Sequence, residues 1–131
     1  MILETTYLVD LEREAQRGLR GPAIELLEKE AESVLTITFT IAGEMAAGLT
    51  LEERSAWEQF LSPYRILGCD MDVCWRYGEL YRLLQGHGSL IGANDLWIAA
   101  TALAHDLPLV TNNTTHFERI PDLTVVGHRS D

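Results

Sequence analysis

Apolar residues recur along this chain in two rhythms, short continuous runs and longer stretches at helical spacing. Residues 1–3 (MIL) form the first run, and from Thr6 onward (TYLVDLEREAQRG) Tyr7, Leu8 and Leu11 fall on one side with charges on the other. Gly21 and Pro22 break the chain and open a helix, AIELLEKEAE, whose inward stripe reads as Ile24, Leu27 and Ala31 beneath a solvated charged face. Segment 34–38 (VLTIT) is β-branched and predicts a buried strand. IAGEMAAG then reads as helix stopped by Gly48, and Thr50 with Glu53 as a capping box opening LEERSAWEQFL, which ends before Pro63.

A third short strand is predicted over 64–68 (YRILG) and a long helix over 71–85, with Trp75 and Tyr81 as core aromatics. GHGSLIG reads as a loop, and Asn94 or Asp95 starts a helix, LWIAATALAHD, that is apolar on nearly every side and therefore buried. Strands at 109–111 and 123–126 complete the pattern. Strands alternating with helices predict an α/β domain, a parallel sheet of about five strands covered by helices on both faces. The 131 residues leave room for one such domain, spanning 1–131.

Charge narrows the chemistry. The net charge is −10, and Lys29 is the single lysine among ten basic residues, which excludes a duplex-coating protein that works by phosphate neutralisation. Phosphorelay and P-loop chemistry also lack a usable lysine. The GHGSLIG glycines have the wrong spacing, and no preceding strand, for a dinucleotide loop, and four scattered histidines offer neither a metal motif nor a triad. Cys69 and Cys74 lack the spacing of a zinc site and read as reduced, mostly buried thiols. The residues around Met1 show no basic run followed by an apolar stretch of the kind that directs export, and Glu44 in the long weakly charged stretch 34–51 would cost roughly 3 kcal/mol to place in a bilayer, so a cytoplasmic protein without a membrane span is expected.

Three carboxylates stand apart from this background. Glu4 is the only charge in residues 1–9, Glu44 the only one in 34–51, and Asp95 the only acid in 83–104. Each has an ordinary reading: Glu4 exposed at a strand end, Glu44 on the outer face of a helix, Asp95 a helix N-cap. Yet Glu4 ends the first strand, Glu44 follows the second and Asp95 opens the helix leading to the fourth, so all three could meet at the crevice beyond the strand ends. At about 5 Å apart, three ionised pairs repel by on the order of 10 kcal/mol at an effective dielectric of 20. Such a cluster must hold a cation or a proton, and all-oxygen donors select Mg²⁺ or Mn²⁺ over zinc.

The segments ILETTYLVDLERE, TITFTIAGEMAAG and IGANDLWIAATALAHDLPLVTNNTTHFERIPDL resemble the PIN-domain ribonucleases, in particular the VapC toxins of prokaryotic toxin-antitoxin pairs. The resemblance runs nearly end to end. It implies a five-stranded parallel sheet and Mg²⁺- or Mn²⁺-dependent endoribonuclease activity on single-stranded or loop RNA, transfer RNA among the candidates. It further implies homodimers and inhibition by a VapB-type antitoxin. The family's acids fall on Glu4, Glu44 and Asp95 as metal ligands, with Asn113 at its fourth position as a further catalytic residue; Thr6 and Thr111 are candidates for positioning water or phosphate. Glu4 stands where the family has Asp, a carboxylate roughly 1.5 Å further from the backbone, which leaves a catalytically silent homologue as the competing reading.

Overall fold

The computed structural model describes residues 1–129. Its elements run β1 (Ile2–Leu3), α1 (Thr5–Gln16), α2 (Pro22–Lys29), β2 (Thr36–Thr38), α3 (Phe39–Ala47), α4 (Arg54–Leu61), β3 (Arg65–Leu67), α5 (Met71–Gly86), α6 (Ala93–Ala104), β4 (Leu109–Val110), α7 (Thr114–Phe117) and β5 (Val125–Val126). The five strands form one all-parallel sheet in the order β3-β2-β1-β4-β5. Right-handed crossovers that step one way from β1 to β3 and back the other way through β4 to β5 must use both faces of the sheet. The expected α/β sheet is thus present, with the direction of winding reversing between β1 and β4.

Burial explains the strand spelling. Ile2, Leu3, Ile37, Leu109 and Val110 are fully buried, as a parallel sheet covered on both faces requires. Edge strand β3 is less protected, with Ile66 exposed. Ile98, Ala99, Ala100 and Thr101 of α6 are all inaccessible, as its nearly all-round apolar sequence predicted. No helix among the described residues is long and apolar enough to cross a membrane.

Local chemistry overrode the sequence pattern at several points. Thr50 caps nothing: residues Leu49–Leu51 form a 3₁₀ turn and Glu53 is the N-cap of α4, without a side-chain cap bond. In α2, Ala23 rather than Ala31 is buried, because the helix ends at Lys29 and its start is held by Glu14 of α1. The Glu14 carboxylate accepts from the amides of Gly21, Ala23 and Ile24 at 2.9–3.0 Å, and a Cβ on Gly21 would meet it at 2.6 Å. Cys69 and Cys74 are exposed rather than buried, and Trp75 (63%) and Tyr81 (40%) of α5 face outward instead of joining the core. The C-terminal segment is tied to α1 by a buried pair, His128 Nε2 to Asp10 Oδ2 at 2.7 Å, and by Arg129 to the other Asp10 oxygen at 2.8 Å.

Candidate active site

The crevice where the winding reverses is bounded by the ends of β1 and β4, and the first residue beyond β1 is Glu4. It is 4% exposed, not solvated. Glu4 is the N-cap of α1, Oε2 accepting from the amide of Thr6 at 2.7 Å. Oε1 accepts from the Thr6 hydroxyl at 2.8 Å and from the Thr111 hydroxyl, just past β4, at 2.6 Å. Those two hydroxyls in turn accept from the amides of Asn112 and Asn113 at 2.8 and 3.0 Å. The two hydroxyl oxygens lie 3.2 Å from each other, each bridges a backbone amide to Glu4, and one carboxylate clamps the start of α1 to the end of β4. A carboxylate offers about four acceptor positions, so one remains, on Oε2.

Thr5, beside this clamp, donates its hydroxyl to Glu44 Oε1 of α3 at 2.9 Å. Glu44 is half-buried, and burial pushes its carboxyl upward from the usual carboxylate range, helped by the negative charges of Glu4 and Asp95 and opposed by hydrogen bonds from Thr5 and Asn94. Two of the solitary acids thus act on the third, with no lysine or arginine among the groups that shift Glu44. Glu44 also lines an open cleft of about 450 Å³ with Thr40, Asn94 and Trp97, and the buried Thr40 hydroxyl has no hydrogen-bond partner among the described residues.

Asp95 is not the N-cap of α6, which is Gly92, but sits in the first turn, where the positive end of the helix dipole favours its charge. Its Oδ2 lies 2.9 Å from His116 Nε2 of α7. Neither α7 nor this role for His116 was signalled by the sequence, since a four-residue helix has no periodicity to read and the pairing partner lies 21 positions away. Thr5 stands where the family resembled has a Thr, but its bond to Glu44 could not be read from the sequence, since that partner lies on α3. Asn113 is exposed at the N-cap of α7 and enters the network through its backbone amide.

The donors are all oxygen, which suits a hard divalent cation in kind. Among the described residues, however, no three His, Cys, Asp or Glu side chains are arranged as a closed metal-binding group. Glu4 is turned inward onto its threonines and Asp95 is engaged by His116.

This fold and this crevice define a class. The PIN domain family pattern matches residues 1–123, and the chain belongs to the PIN-domain family. Within it, ribonuclease VapC2 of Rickettsia felis is 35% identical over 105 residues, covering 76% of this chain and 77% of the relative. Ribonuclease VapC1 of Haemophilus influenzae is 30% identical over 124 residues, 93% and 92% of the two chains. Among solved structures, VapBC2 of R. felis bound to a promoter DNA fragment superimposes with a TM-score of 0.77 at 30% identity over 96% of each chain. A toxin-antitoxin complex from Klebsiella pneumoniae gives a TM-score of 0.69 at 28% identity, over 99% and 98%.

Proposed function

We propose that this chain is a VapC-type endoribonuclease toxin that hydrolyses RNA phosphodiester bonds with Mg²⁺ or Mn²⁺ and is held inactive by a VapB-type antitoxin. The observation that carries the reading is the convergence of the charges of Glu4 and Asp95 on Glu44 at the reversal crevice, with no lysine or arginine among the groups that shift Glu44. Relatives named as ribonucleases and as VapBC complexes support it. Glu44, Asp95 and the remaining acceptor position of Glu4 would hold the ion. When bound, it supplies an activated water and neutralises charge developing on the phosphate.

The chain's own residues do the remainder. Glu4 is a fixed charge whose place is set by two hydroxyls and an amide rather than by solvent, so its position is prepaid. His116, 2.9 Å from Asp95 Oδ2, would orient that carboxylate. Asn113, exposed beside Thr111, would orient the attacking water. Thr6 and Thr111 act through Glu4, positioning it rather than meeting phosphate directly. We place the protein in the cytoplasm as a homodimer, with RNA loops such as those of transfer RNA as substrates.

One observation favours the competing reading of a silent homologue, namely that Glu4 already spends three of its acceptor positions inside the protein. The test is cleavage of an end-labelled single-stranded RNA. Cleavage that requires Mn²⁺ or Mg²⁺, stops on chelation and falls when cognate antitoxin is added is the expected result; no cleavage by folded protein at any metal concentration overturns the enzyme reading.

A further inference from the structure

Away from the crevice, the only two cysteines of the chain lie against each other. Cys69 is in the turn between β3 and α5, Cys74 is in the first turns of α5, and their Sγ atoms are 3.5 Å apart with both residues exposed. The turn is fixed by Asp70, the N-cap of α5, whose carboxylate accepts from the amide of Val73 at 2.9 Å. The Cys69 thiol is raised from its ordinary value, first by its hydrogen bond to Cys74 and then by desolvation and the neighbouring charges of Cys74 and Asp70. A disulfide needs about 2.05 Å between sulfurs, a closure well within the swing of two exposed side chains. Among the described residues no further His, Cys, Asp or Glu joins this pair as a metal-binding group.

We propose that Cys69 and Cys74 are a reversible redox site, closing to an intramolecular disulfide on meeting a low-molecular-weight disulfide such as oxidised glutathione. One protein thiolate attacks a glutathione sulfur, forming a mixed disulfide and releasing one glutathione thiolate. The neighbouring protein thiolate then attacks the protein sulfur of that mixed disulfide and expels the second. Two electrons pass from the protein dithiol to oxidised glutathione, and the two protons end on the two glutathione thiols. Contact between the sulfurs makes the second step intramolecular and faster than the capture of a second glutathione. Because β3 is parallel to β2 and β1, this site sits along the same edge of the sheet as the carboxylate crevice, but the proposal does not depend on the ribonuclease reading.

The test uses the full chain in glutathione buffers of stepped ratio, quenched by alkylation and read by intact mass and peptide mapping. Wild type is expected to lose both alkylatable thiols together, to yield a peptide cross-linked between Cys69 and Cys74, and to regain both thiols on reduction. Cys69→Ser and Cys74→Ser are each expected to stop at a single glutathione adduct. Wild type that accumulates two adducts overturns the proposal. So does wild type that keeps both thiols at ratios that load the single variants, or that joins chains through intermolecular disulfides instead.

Discussion

Shortening Glu4 by one methylene should release the start of α1 from the Thr111 side chain at the end of β4 while leaving the backbone pairing of β1 with β4 in place. The carboxylate of Glu4→Asp would still reach the Thr6 amide, because Asp is among the best N-cap residues. It would fall roughly 1.5 Å short of the Thr111 hydroxyl, now at 2.6 Å, and that hydrogen bond would be lost. A hydrogen bond to a charged group contributes about 1.5–3 kcal/mol, and for an unfolding entropy of about 2.1 cal/mol/K per residue over 131 residues each kcal/mol moves Tm by roughly 3–4 °C. Glu4→Asp should therefore lower Tm by roughly 5–10 °C. Thr111→Val removes the same bond from the other side and also deprives the Asn113 amide of its acceptor. In a double-mutant cycle by thermal or urea unfolding, the second substitution should cost about 1.5–3 kcal/mol less in the Glu4→Asp background than in wild type. Strict additivity of the two would refute the clamp between Glu4 and Thr111.

Other consequences follow from the same geometry. Because the crevice is built around the longer side chain, Glu4→Asp should reduce rather than raise single-turnover RNA cleavage; a rise would show that Glu4 is a weakened substitute. Glu44, whose folded carboxyl is raised by burial and by its acidic neighbours, costs stability wherever it is ionised, a cost relieved as pH falls through its folded value. Metal-free Glu44→Gln should therefore melt higher than wild type near neutral pH, with the gap closing in acid, while losing the rise in Tm that Mn²⁺ gives wild type. Asp10 has the opposite sign: burial pushes its carboxyl up, but the hydrogen bonds and charges of His128 and Arg129 outweigh this and hold it below 3.8, so its contribution is present above that value and is lost as pH falls through the lower folded one. Asp10→Asn should lower Tm at pH 7 and have little effect at strongly acid pH. His116→Ala frees Asp95 and should weaken Mn²⁺ binding by about tenfold in a calorimetric titration, against no change if the contact is incidental.

The strands and the three acids were legible because burial writes them plainly. A two- or three-residue strand in a covered parallel sheet must be apolar or β-branched, and a lone charge inside such a segment needs a reason to be there. What Glu4 does was not legible, since its partners Thr6 and Thr111 are brought together only by the pairing of β1 with β4. His116 and His128 read as scattered singles for the same reason, their carboxylate partners lying on other elements. The helix pattern misled where an aromatic residue was assumed to mark an inward face: Trp75 carries Arg82 stacked over its ring at 5.5 Å and points outward. Thr50 and Glu53 had capping spacing, but the chain tightens into a 3₁₀ turn before α4 begins, so the motif has no helix start to serve.

The central claim, that Glu44 and Asp95 bind the ion on which RNA hydrolysis depends, is tested most directly by single-turnover cleavage of one defined single-stranded RNA by wild type, Glu44→Gln and Asp95→Asn across a Mn²⁺ titration. The account predicts metal-dependent cleavage by wild type and a loss of at least about a hundredfold in each variant, with all three proteins folded by circular dichroism. Cleavage that persists in both variants with an unchanged Mn²⁺ dependence would contradict it.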